Sequence, residues 1–163
     1  MSEPKFIPKP GQVDYTNVRR APVVNCVVKC GNKILIVKRN PTMHFYPGYW
    51  NGISGFLDDG KSIFEKVQEE LREEVGIESD RVASFKEGRI FEQEEPTYDK
   101  VWIVHPVLVE VASDDITRDW EAVDFRWIVP DDASCFNLLP GFERVLDAFF
   151  HDRAKTCTTA LDE

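Results

Sequence analysis

Hydrophobic and polar positions fall into blocks whose period changes along the chain. Residues 23–29 and 33–38 are β-rich runs separated by Gly31-Asn32, a pair that suits a tight hairpin turn. A loop after Arg39, NPTMHFYPGYW, leads to a short apolar segment at 50–56. The most regular block follows. Phe64, Val67, Leu71 and Val75 recur at helical spacing, Ser62 and Glu65 stand as a capping box, and Gly76 sits where a left-handed cap ends a helix. Strands are predicted at 81–93 and 100–111. The second is placed centrally because its apolar run is nearly continuous, and Pro106 within it calls for a bulge or a break. A short strand at 123–129 and a second amphipathic helix at 141–150, carrying Phe142, Val145, Leu146 and Phe149, complete the pattern. The mixture predicts one α/β domain over 23–150. An extended, proline-containing arm at 1–22 precedes it, and a polar tail at 151–163 follows.

Composition narrows the class. The chain has 163 residues, 42% of them hydrophobic, enough for one compact core. No apolar run reaches membrane-spanning length and no signal-peptide pattern opens the chain, so the expectation is a cytoplasmic protein with no membrane partner. Cys26, Cys30, Cys135 and Cys157 show no close metal spacing and read as reduced thiols. A formal charge of −9 argues against a broad nucleic-acid surface. An anionic substrate would therefore need local cations.

The acidic residues concentrate where such cations would help. Glu69, Glu70, Glu73 and Glu74 lie away from the apolar stripe of the first helix, and the 70/73 and 70/74 pairs are surface neighbours. Like charges so placed repel by a few tenths of a kcal/mol per pair (on the order of 0.2–0.5), which a bound divalent cation would reverse. A solvated acidic face is the alternative reading. Gly55 and Gly60 bracket the loop before the helix, where backbone can approach a phosphate or metal closely.

These residues resemble the signature of the Nudix hydrolases: Gly, five residues, Glu, seven residues, Arg-Glu, an aliphatic, any residue, Glu-Glu, any residue, Gly, an aliphatic. Gly55, Glu70, Leu71, Glu73, Glu74, Gly76 and Ile77 fall on signature positions without a gap. Lys61 stands where the signature has its first Glu, and Glu69 where it has Arg. The departures are reciprocal, so Lys61 and Glu69 are expected to form a loop–helix ion pair with exchanged charges. Added negative charge at Glu69 is also expected to raise the pKa of Glu70.

The resemblance implies the Nudix fold, a mixed β-sheet sandwiched between α-helices. It also implies a Mg²⁺- or Mn²⁺-dependent hydrolase that cleaves the phosphoanhydride of a nucleoside diphosphate linked to another moiety. Gly55, Glu70, Glu73 and Glu74 become metal-site candidates. Glu121, in the segment EAVDFRW, is a further ligand or the base, and either Glu70 or Glu121 is the catalytic base. Arg39 is a candidate for substrate phosphate, and Phe45 and Trp50 for stacking on a base. Two alternatives stay open: a Nudix-like module that binds a nucleotide without hydrolysis, and an isopentenyl diphosphate isomerase. The arm before residue 22 is equally compatible with a strap across a homodimer and with an unstructured segment.

Overall fold

The computed structural model describes residues 7–157; residues 1–6 of the arm and 158–163 of the tail lie outside the described residues. Its centre is an eight-stranded mixed sheet. Strand β1 (Arg20–Cys30) turns at Gly31 into β2 (Lys33–Arg39), with Cys30 opposite Lys33. The short β3 (Trp50–Asn51) pairs with β2, and β4 (Ile53–Phe56) runs antiparallel to β1, placing Gly55 opposite Val24. Helix α1 (Ile63–Val75) follows, then β5 (Val82–Glu87), β6 (Phe91–Glu95), β7 (Lys100–Val111), β8 (Ala122–Ile128) and helix α2 (Phe142–Asp147).

The buried run of β1 serves both faces of the sheet, as expected of a strand covered on each side. Val24, Cys26 and Val28 face Val67, Leu71 and Val75 of α1. Val27, Ile34, Ile36 and Trp102 join Phe142, Val145 and Leu146 of α2 in a separate core on the other face. The domain is thus the expected sheet between helices.

Several elements differ from the sequence pattern for identifiable reasons. The run at 81–93 is two strands, and both pair with β7. Pro106 needs no bulge, because it lies where β5 hands over to β6. Its carbonyl accepts from Gly88 N–H in the gap, so its missing N–H removes no ladder bond there. Helix α2 is shorter than its apolar pattern. In α1, Phe64 is 43% exposed and packs edge-on against Phe85, while Lys66 is buried at 5% although it lies off the apolar stripe, on the side of Glu69 and Glu70.

Both ends pack on the domain. Residues of the arm pack on their own domain: Tyr15 stacks on Phe56, Val13 N–H donates to the Asp58 carbonyl, and Lys100 donates to the carbonyls of Tyr15 and Val18. At the other end the expectation of four reduced thiols is overturned, because Cys135 and Cys157 form a disulfide. The cause is long-range. Arg153 is buried and pairs with Glu143 (3.5 Å) and Asp147 (3.2 Å), folding the following residues back onto α2 and carrying Cys157 to Cys135. Cys26 and Cys30 are free thiols. No described helix is long and apolar enough to cross a membrane.

Candidate active site

The site grows from the junction of β4 and α1. Ser62 caps the helix: its hydroxyl accepts from Glu65 N–H (3.2 Å), and the Glu65 carboxylate accepts from Ser62 N–H (3.0 Å). Gly76, at φ 68°, closes the other end, its N–H donating to carbonyls of the last turn. With both ends set and Val67, Leu71 and Val75 buried, the helix is locked in rotation, which turns Glu70 toward β4. There the Glu70 side chain lies directly on Gly55. A Cβ at position 55 would come within 2.6 Å of the Glu70 carboxyl, so the glycine makes room for that carboxylate.

Cations surround this corner in an unexpected arrangement. Lys61 Nζ donates to Glu69 Oε1 at 2.8 Å, joining loop to helix. The other Glu69 oxygen lies 3.2 Å from Lys66 Nζ, an ionic contact outside hydrogen-bond geometry. Lys66 donates to Asp58 Oδ1 (3.1 Å) and reaches to 3.7 Å from Glu70 Oε1. Burial works against the Lys66 ammonium, yet Glu70, Asp58 and Glu69 outweigh it and hold its pKa above the ordinary lysine value.

The carboxylates press on one another. Burial pushes Glu70 up to about 8, opposed by Lys66 and reinforced by Glu121, Glu73 and Glu69. Glu74 is held well above the carboxylate range, first by burial and then by Glu70 and by Glu121, to which it is hydrogen-bonded. Asp119 rises to about 6, again mainly through burial. Its side chain accepts from Glu121 N–H (2.9 Å) just before β8, and so fixes the turn that presents Glu121. Glu73 is exposed one turn along the helix. Among the described residues no three His, Cys, Asp or Glu side chains already stand as a metal cage. The donor set still fits a hard divalent cation, since buried carboxylate oxygens that repel one another lose that repulsion on binding it.

A cavity of about 500 Å³ opens beside these groups, lined by Gly55, Glu121 and Arg39 together with Phe45, Phe56 and Trp102. Arg39 Nε donates to the Phe45 carbonyl (3.0 Å), which ties the aromatic loop to the end of β2. Phe45 sits edge-on to Trp102 and Tyr98 at 5.2 Å. Trp50 requires a correction. It is 2% exposed, packed edge-on against Phe136 in the core, and does not line the cavity. Its apolar surroundings in the sequence fit either fate, and only the fold decides. Asp58, Lys66 and Asp119 were not among the sequence candidates. The spacing of Lys66, three and four residues before Glu69 and Glu70, was the available signal; Asp58 and Asp119 gave none.

A family model described as NUDIX domain matches residues 19–149. Over 73 residues the chain is 35% identical to a Chromobacterium violaceum protein named NAD-capped RNA hydrolase NudC, across 45% of this chain and 26% of that protein. The match thus spans about a quarter of the relative's length. Among solved structures, the MutT NUDIX hydrolase of Burkholderia pseudomallei superposes with a TM-score of 0.67 at 16% identity, over 80% of this chain and 98% of that one. The NUDIX domain of Shewanella oneidensis NrtR, solved with ADP ribose, gives a TM-score of 0.66 at 15% identity over 79% and 85%. Identities this low speak for the fold alone.

Proposed function

Because this chain belongs to the NUDIX family, we propose that it is a pyrophosphohydrolase cleaving the phosphoanhydride bond of a nucleoside diphosphate linked to another moiety. One observation carries the reading: Glu121, which with the part-buried Glu70 and Glu74 forms a group of mutually repelling carboxylates, lines a cavity whose walls also hold Phe45, Phe56 and Trp102. That combination suits a ligand with a charged diphosphate and a flat base. The domain that does this is assigned to residues 23–150, with the arm and tail as additions.

Glu70, Glu73, Glu74 and Glu121, with the Gly55 carbonyl, are assigned as the groups that hold Mg²⁺ or Mn²⁺. When bound, the metal neutralises diphosphate charge and makes water a stronger acid. The protein's own contribution is positional. Gly55 lets the Glu70 carboxylate lie against β4, Asp119 sets the turn carrying Glu121, and Arg39, which lines the cavity at the end of β2, is assigned to the outer phosphate. Proton removal from the attacking water falls to Glu121 or Glu70. Phe45 and Phe56 are assigned to the base.

The named activity of the Chromobacterium relative puts NAD-type dinucleotides at the head of the substrate panel. The test is release of nucleoside monophosphate from that panel with Mg²⁺, Mn²⁺ or EDTA. Metal-dependent turnover that falls roughly 100-fold or more in Glu74→Gln is expected. Turnover that survives EDTA, or near-normal activity in the variant, would reject the assignment. A non-hydrolytic nucleotide binder is the second reading, favoured by the exchanged charges at Lys61 and Glu69. Ligand-induced stabilisation without product would select it.

A further inference from the structure

We propose that Lys66, held by Asp58, is the positioning residue for Glu70. The inference rests on the hydrolase reading and adds a residue that the signature leaves unspecified. A lysine buried at 5% on α1 costs desolvation, and its pairing with the buried Asp58 offsets that cost. The pairing accounts for its charge; its place beside Glu70 is what the reaction would use.

Glu70 is gripped from two directions, with Gly55 beneath its carboxyl and Lys66 Nζ 3.7 Å from Oε1. Glu73, Glu74 and Glu121 all push the other way, so a carboxylate without its cation would swing from Gly55 toward solvent. Lys66 is itself fixed. Asp58, which is buried, accepts a hydrogen bond from it at 3.1 Å, and Glu69 balances its charge from the adjoining turn at 3.2 Å. The exchanged charges at positions 61 and 69 thereby gain a reason. An anion at 69 can face Lys61 in the loop and Lys66 in the helix together, whereas a cation at 69 would repel Lys66.

Asp58 reaches further. Its second oxygen accepts from Gln12 Nε2 (3.0 Å) and its carbonyl from Val13 N–H (2.6 Å). Val13 to Thr16 form a wall of the cavity. One carboxylate therefore anchors both the cation behind Glu70 and the arm that borders the substrate cavity.

The experiment compares wild type, Lys66→Met, Lys66→Arg and Asp58→Asn in full-length protein, using the best substrate of the panel. It measures kcat, KM and Tm, and a crystal structure of Lys66→Met is determined. Expected is a fall in kcat of about 10- to 100-fold in Lys66→Met, measured on the folded fraction, with KM changed by less than about threefold and Tm lowered because Asp58 loses its buried partner. Lys66→Arg recovers most of kcat, and in the Lys66→Met crystal Glu70 leaves Gly55. Normal kcat in Lys66→Met, a loss of activity that only tracks a loss of folded protein, or Glu70 unmoved in the crystal would overturn the proposal. If wild type turns over nothing in the panel, the hydrolase reading fails by itself. The Glu70 position in the crystal then decides the positioning role alone.

Discussion

At Gly55 the chain makes room for the Glu70 carboxylate. The glycine's backbone is ordinary strand, paired with Val24, so its value lies in the absent Cβ. Gly55→Ala places a methyl within 2.6 Å of the Glu70 carboxyl, the far end of a flexible side chain. The fold should therefore survive while the carboxylate is displaced. A Tm within a few degrees of wild type and a loss of kcat of about tenfold or more are expected; unchanged kcat would show that the seat under Glu70 has no bearing on turnover. The glutamates of α1 were legible because local spacing defines one helix surface. Lys66 was less so, since a lysine among glutamates reads as a solvent-facing partner until β4 and Asp58 cover it. Trp50 failed for the complementary reason: aromatic side chains suit a core and a binding wall equally, and no local feature separates the two.

Elements carry their own consequences, and α1 carries most. Its cap was readable from Ser62 and Glu65, and truncating it in Ser62→Ala should cost about 1 kcal/mol, measured by denaturant unfolding. The tie between the preceding loop and the helix is more informative. Exchanging the charges of the Lys61–Glu69 pair, as Lys61→Glu with Glu69→Arg, restores attraction between the two positions but sets a guanidinium against Lys66, now 3.2 Å from Glu69. The double variant should fall roughly 1–3 kcal/mol short of wild type. Adding Lys66→Met should recover much of that loss. Full recovery in the double variant alone would show that Lys66 does not sense position 69. Strand identity was similarly legible in type but not in partition. The split of 81–93 into β5 and β6 depends on β7 meeting a different strand on either side of Pro106, a property of the assembled sheet.

At the scale of the molecule, the sequence under-read long-range closure. A pairing between Cys135 and Cys157 leaves no trace in local spacing, because it depends on Arg153 burying itself against α2. The arm has the same character, since Lys100, Asp58 and Phe56 hold it from distant parts of the chain. What the whole fold does to charge is testable through pH. The carboxyls of Glu70, Glu74 and Asp119 are raised on folding, so the folded state retains protons that the unfolded chain has lost. Stability from these groups is complete below the unfolded value and disappears as pH climbs through the folded one. For Glu70 that window runs from 4.5 to about 8. Groups with the opposite sign act lower. Asp59, Glu65, Glu69, Glu92 and Glu110 are depressed below ordinary carboxylate values, and His105 is depressed from 6.5 by burial, so each adds stability with rising pH only up to its unfolded value. Between pH 7 and 8.5 Glu70 contributes a falling slope, which Lys100, lowered from 10.5 by burial, opposes. Tm in EDTA should fall across that interval, and the fall should shrink in Glu70→Gln and in Glu74→Gln. Millimolar Mg²⁺ or Mn²⁺ should raise Tm most at the upper end, where the carboxylates are ionised and repel most strongly. A Tm in EDTA that stays level or rises from pH 7 to 8.5 would mean that these glutamates are not held protonated by the fold.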